Sequence, residues 1–126
     1  MKTLELILER TDNELVGRVM YEKNLIIDEA SSLESLEKKL KKHLNKYHNI
    51  LPQDIAFEYK YDLSVLFETF NYLKISTIAE IAGINPSLLR QYVIGKKNAS
   101  ASQAQKIENA IHRLGKELTK IHVYGK

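Results

Sequence analysis

Apolar and polar residues alternate from Thr3 to Arg10, with Leu4, Leu6 and Leu8 on one side and Thr3, Glu5, Ile7 and Glu9 on the other. A period of two over this length predicts a half-buried β-strand. Thr11-Asp12-Asn13-Glu14 is turn chemistry, and Leu15 to Glu22 alternates again, so the two runs read as a hairpin. Leu25-Ile26-Ile27, after Lys23-Asn24, predicts a third and shorter strand. The period then changes. Ser31 with Glu34 has the spacing of a capping box, and Leu33, Leu36, Leu40, Leu44 and Tyr47 step by three and four into one apolar stripe. Glu34 with Lys38 and Glu37 with Lys41 are i,i+4 pairs in the favoured order. Pro52 closes the connection, and Ile55 to Tyr61 alternates as a fourth strand. The first half therefore reads β-β-β-α-β, a small antiparallel sheet with one covering helix.

The second half has helical periodicity almost throughout. Asp62 is read as the cap of a helix over Leu63 to Tyr72, with Leu63, Leu66, Phe67 and Phe70 as its core face. Thr77 to Lys97, TIAEIAGINPSLLRQYVIGKK, has the spacing of a helix-turn-helix unit. Ala79 is small enough for a tight helix crossing, Gly83 can take the positive φ of the turn, and Ile84 anchors that turn. Asn85 is a natural N-cap, and Pro86 suits the first helical position, where its missing N–H is not needed. Leu89 and Tyr92 would face inward, and Gly95 would end the helix. Ser100, with Gln103 in the capping-box position, opens a last helix whose stripe is Ala104, Ile107, Ile111, Leu114 and Leu118. Ile121-His122-Val123-Tyr124 is read as a short final strand. The expected fold class is α+β, with a β-β-β-α-β domain over 1–61 and an all-α helix-turn-helix domain over 62–126.

Charge sharpens this picture. Residues 1–60 carry ten Lys/Arg against eleven Asp/Glu, whereas residues 61–126 carry nine against five. Between Ile81 and Ile107 there is no acid, while Arg90, Lys96, Lys97 and Lys106 are present. A basic segment coinciding with a helix-turn-helix is the footprint of a phosphate-contacting face. The bland alternative is a helix-turn-helix used for protein contact. A recognition helix presents its N-terminal turns to base edges in the major groove. Gln91 can pair bidentately with adenine, Arg90 with guanine or phosphate, Ser87 with either, and Leu88 can touch a thymine methyl. Lys96 and Lys97 would hold the phosphate backbone. With the cap residue, the candidate DNA-binding set is Asn85, Ser87, Leu88, Arg90, Gln91, Lys96 and Lys97.

Other chemistries find less support. The chain has no cysteine, which excludes disulfides and thiolate metal sites. His43, His48, His112 and His122 show no H-x-x-x-H spacing, and no P-loop, nucleophile elbow or dinucleotide fingerprint is present. No metal and no cofactor are expected. Glu5, Glu9 and Asp28 could in principle converge for two-metal nuclease catalysis, but surface solubility explains them better. Lys38, Lys39, Lys41, Lys42 and Lys46 tempt an RNA-binding reading, yet acids lie beside them and no stacking aromatic is interleaved, so a solvated face is preferred. The N-terminus is too short in apolar run and too charged for a signal peptide, and no window is apolar enough to span a membrane. A cytoplasmic location without membrane contact is the expectation.

The layout, with LESLEKKL in the first helix and INPSLLRQYVIGKK…SQAQKIENAIHRLGKEL in the second half, resembles the HicB family of type II toxin–antitoxin antitoxins. The resemblance implies a degenerate, inactive ribonuclease-H-like first domain that masks a small basic HicA-type ribonuclease toxin. It implies a Cro/repressor-type helix-turn-helix that binds double-stranded operator DNA of its own operon as a homodimer or higher oligomer. The chain departs from the family in reading Tyr21-Glu22-Lys23-Asn24-Leu25 where a Gly-Cys motif is usual. A stand-alone DNA-binding regulator, its first domain sensing a ligand or only dimerising, is the alternative.

Overall fold

In the computed structural model, which describes residues 1–126, the chain divides into two units, Met1–Leu66 and Phe67–Lys126. The division falls inside a helix rather than at Tyr61/Asp62, because Val65, from the first turn of that helix, belongs to the core of the first unit.

The first unit is built on strands β1 (Lys2–Arg10), β2 (Leu15–Tyr21), β3 (Asn24–Ala30) and β4 (Ile55–Tyr61), in the order β3-β2-β1-β4. The sheet is mixed, not antiparallel as the sequence suggested: β4 runs parallel to β1. The reason lies in helix α1 (Leu33–His48), which carries the chain from the β3 edge to the opposite edge, so that β4 enters in the direction of β1. A single 3-10 turn, Pro52–Asp54, leads into β4. The third strand is longer than expected, running to Ala30, because its pairing with β2 continues to Leu15↔Ala30.

Alternation gives the sheet two unlike faces. Leu6, Leu8, Leu15, Val19, Ile26, Ala30 and Ile55 are buried with Leu36, Leu40 and Leu44 of α1. Gly17 sits on this face, with Leu36 and Leu40 of α1 and Leu6 of β1 in the space a Cβ would occupy. Tyr47 does not join the α1 stripe; it is exposed, with its ring tilted against that of His43 at 4.6 Å, and the stripe instead passes from Leu44 to His48, which meets the edge of Tyr21 at 5.0 Å. The helix cap is one residue later than the Ser31/Glu34 pattern: the Ser32 hydroxyl accepts from the Ser35 N–H. Of the two expected ion pairs on α1, Glu34–Lys38 forms at 3.4 Å. Glu37 instead accepts from the Tyr59 hydroxyl. That bond, with burial and the carboxylate charge behind it, pushes the Tyr59 phenol up to about 12.

Helix α2 (Leu63–Thr69) ends earlier than the Tyr72 expected, turning through Leu73 N–H to Phe70 C=O. Its buried residues are Leu63, Val65 and Phe67, whereas Leu66 and Phe70 are half-buried. The second unit contains α3 (Ile75–Ala82), α4 (Pro86–Val93) and α5 (Ala101–Leu118), with α3 packed against both of the others. Ile78, Ala79, Ile84, Leu89, Ile107 and Ala110 are its most deeply buried side chains. On α5 the expected stripe is shifted: Ile107 and Ala110 are buried, whereas Ala104 and Leu118 are exposed. Ile121 to Tyr124 form no strand, having no strand beside them to supply hydrogen bonds, and Val123 and Tyr124 are almost fully exposed.

Candidate nucleic-acid interface

The turn between α3 and α4 is set residue by residue. Gly83 has φ +71°, a conformation that glycine adopts at no steric cost. It lets the Ile84 N–H reach the Ala79 carbonyl at 2.9 Å and the Gly83 N–H reach the Glu80 carbonyl at 3.2 Å, which satisfies the last carbonyls of α3. Ile84 then drops into the core. The Asn85 side chain accepts from the Ser87 N–H at 2.8 Å, and Pro86 opens α4. Ala79 is fully buried, so its small side chain fits a crowded position inside the unit.

The far end of α4 repeats the device. Gly95 has φ +79°, and its N–H bonds the Tyr92 carbonyl at 3.1 Å. The N–H groups of Lys96 and Lys97 both bond the Gln91 carbonyl, at 2.9 and 3.2 Å. The two lysines are therefore tied by their backbones to the helix end, with their side chains exposed.

Leu89 and Tyr92 are buried, as their spacing predicted. On a helix turning about 100° per residue, that leaves Ser87, Arg90 and Gln91 clustered on the opposite side. Ser87 and Arg90 are exposed, and Gln91 is half-buried. Leu88 is half-buried at the flank of this face. Asn85 is exposed, but its side-chain oxygen already accepts the capping bond, which leaves its amide NH2 free to donate. The face carries Arg90, Lys96 and Lys97 with no acid in the same stretch of chain. A short, rigidly capped helix with polar and cationic side chains on its free side can offer donors to base edges and to phosphates.

The remaining sequence candidates separate. Glu5 and Glu9 lie on the open face of the sheet, held by Lys60 at 3.3 Å and Arg18 at 2.6 Å. Asp28 pairs in register with Gly17 on the α1 side and accepts from the Glu29 N–H, so the three carboxylates do not converge. Four of the five candidate lysines of α1 have local partners: Lys38 pairs with Glu34, Lys39 donates to the Glu29 carbonyl at 2.8 Å, Lys41 sits over Phe57, and Lys46 over Tyr47. Sequence reasoning did not single out the turn Glu22-Lys23, where both residues have positive φ, at 46° and 69°. Such a pair marks a tight two-residue hairpin and normally calls for Asn-Gly, so the sequence carried no signal for it.

Comparison with known proteins finds no matching family model, no similar curated protein and no similar solved structure.

Proposed function

We propose that this chain is a DNA-binding repressor of the HicB-like antitoxin type. Its second unit would serve as a helix-turn-helix that reads operator DNA. Its first unit would be a catalytically inactive α+β domain that masks a small basic ribonuclease toxin. The observation that carries the DNA-binding reading is the α3–Gly83-Ile84-Asn85–α4 arrangement with Ser87, Arg90, Gln91, Lys96 and Lys97 on its free side and no acid from Ala82 to Lys106. The toxin-binding part rests on the order of elements in the first unit and on the resemblance alone. A stand-alone regulator is the second reading, favoured by the tight Glu22-Lys23 turn standing where the family carries Gly-Cys.

Selection of bound duplexes from a random pool, followed by binding titrations, tests the first part. Wild type should enrich one motif, most readily a two-fold one with half-sites about 34 Å apart. Gln91→Ala should lose discrimination at one base position, about 1–3 kcal/mol on the preferred site. Lys97→Ala should weaken every sequence alike and reduce the salt slope by about one. No enrichment, and binding insensitive to salt, would remove the DNA-binding role. A nuclease-treated pull-down from the native cell then separates the two readings: a stoichiometric small basic protein supports the antitoxin, and bait alone leaves the stand-alone regulator.

A further inference from the structure

The sheet of the first unit ends in two edge strands, β3 and β4, and the open groups of β3 are self-complementary. In the two-residue hairpin Tyr21↔Asn24, the residues of β3 that bond to β2 are Asn24, Ile26, Asp28 and Ala30. Leu25, Ile27 and Glu29 therefore turn their N–H and C=O groups away from the sheet. Those of Glu29 are occupied: its N–H donates to the Asp28 carboxylate at 2.8 Å, and its carbonyl accepts from the Lys39 ammonium at 2.8 Å. Those of Leu25 and Ile27 meet no partner within the chain. The side chains of the same two residues are 53% and 55% exposed, and Met20, directly opposite Leu25 in the register, is 60% exposed. An unblocked edge with apolar side chains is a template for strand pairing.

We infer that β3 pairs antiparallel with β3 of a second copy, joining two four-stranded sheets into one of eight strands across a two-fold axis at Ile26. The register follows from the free groups. Leu25 lies opposite Ile27 of the second copy and Ile27 opposite its Leu25, so all four free backbone groups of each edge are used. Two features of the chain suit this register alone. On the open face, Met20 and Leu25 run on into Ile27 of the second copy, covering the exposed apolar residues. At each end, Lys23 falls opposite Glu29 of the second copy and Asn24 opposite its Asp28, so opposite charges meet and like charges do not. Moving the axis to Ile27 would set the occupied Glu29 against Leu25 and lose bonds; moving it to Asp28 would set two aspartates face to face. Both of these pairings are thus worse, and an axis at Leu25 would set Ile27 opposite Lys23, a turn residue with φ 69°. The Glu22-Lys23 turn fits the same picture, since its strained geometry places a lysine at the end of the edge. The contact belongs to the first unit and stands whether or not the second unit binds DNA.

The chain has no cysteine, so a register-specific crosslink has no background. Full-length Asn24→Cys/Asp28→Cys should oxidise to a covalent dimer, while either single variant should not, because 24 meets 28 of the second copy and neither meets itself. Sedimentation equilibrium of the full-length wild type should give twice the chain mass at high micromolar concentration. Leu25→Lys/Ile27→Lys should return it to the monomer with an unchanged circular dichroism spectrum. Lys23→Glu should weaken the dimer, and Lys23→Glu/Glu29→Lys should restore it. A monomeric wild type, or a dimer that survives Leu25→Lys/Ile27→Lys without the crosslink, overturns the proposal; the latter would place the contact elsewhere, for example at exposed Val123 and Tyr124.

Discussion

Gly17 is the residue of β2 for which the covered face has no spare room. A Cβ placed there would lie 2.9 Å from Leu36 Cδ2, 2.9 Å from Leu6 Cδ1 and 3.2 Å from Leu40 Cδ1. Carbon atoms pack at about 3.5–4.0 Å, so these methyls must withdraw by several tenths of an ångström. All three leucines are fully buried, which leaves them little freedom to yield. Overpacking of this kind costs about 1–3 kcal/mol. Alanine also restricts the unfolded chain, which returns about 0.4–1 kcal/mol. Gly17→Ala should therefore destabilise the first unit by about 1–2 kcal/mol. In urea, with a slope of about 2 kcal/mol per molar, the midpoint should fall by roughly 0.5–1 M without a change of slope. Circular dichroism follows the transition, and hydrogen exchange of the β1 and β2 amides assigns it to the first unit. A double-mutant cycle isolates the cause. In a Leu36→Ala background, the cost of Gly17→Ala should shrink by about 0.5–1.5 kcal/mol, because one of the colliding methyls is gone. A Gly17→Ala chain as stable as wild type, or a cost unchanged in the Leu36→Ala background, would refute the packing argument.

Three further outcomes are expected. Gly83→Ala forces a side chain into φ +71°, with open space around it, so it should cost about 1 kcal/mol through backbone conformation alone, read as a lower thermal midpoint with α4 amides exchanging faster. Asn85→Ala removes the cap on α4 and should also cost about 1 kcal/mol, whereas Asn85→Ser or Asp should cost little; equal losses in all three would deny the cap. Tyr59 should titrate near pH 12 by ultraviolet absorbance, and Glu37→Gln should bring it back towards 10. Because its folded value is raised above the unfolded 10, the stabilising contribution is complete below pH 10 and is lost as pH rises through about 12. Seven tyrosines titrating together near 10 would show that the Glu37 bond does not persist in solution.

Local chemistry carried the α3–α4 region almost entirely. The small residue Ala79, the positive-φ glycines 83 and 95, the Asn85 cap and Pro86 each act within one or two turns of backbone, and each is found where its residue type requires. The same holds for the starts of β1, β2 and α5. Capping on α1 was legible only to within one residue, because adjacent Ser31 and Ser32 offer the same hydroxyl and the helix start decides between them.

What the amino-acid order determined by itself was therefore the kind of each element and the side it buries, since periods of two and 3.6 are properties of short segments. It also placed an acid-free, basic stretch on a helix whose core side was already marked by Leu89 and Tyr92. Only the tertiary structure decided which strands are neighbours. That β4 lies beside β1 and parallel to it depends on where α1 lands after crossing the sheet, a matter of packing Leu36, Leu40 and Leu44 over Gly17 rather than of any pattern within β4. The same packing left β3 at an edge and set Lys39 and Asp28 to occupy one end of it, leaving Leu25 and Ile27 open. Tyr47, Leu118 and Ile121–Tyr124 look like core or strand residues in the sequence and are exposed: on α1 His48 takes the place of Tyr47 against the sheet, and 121–124 follow the end of α5 with no strand beside them. A hydrophobic pattern states what a segment is able to bury; the length and position of its neighbours state how much of it is buried.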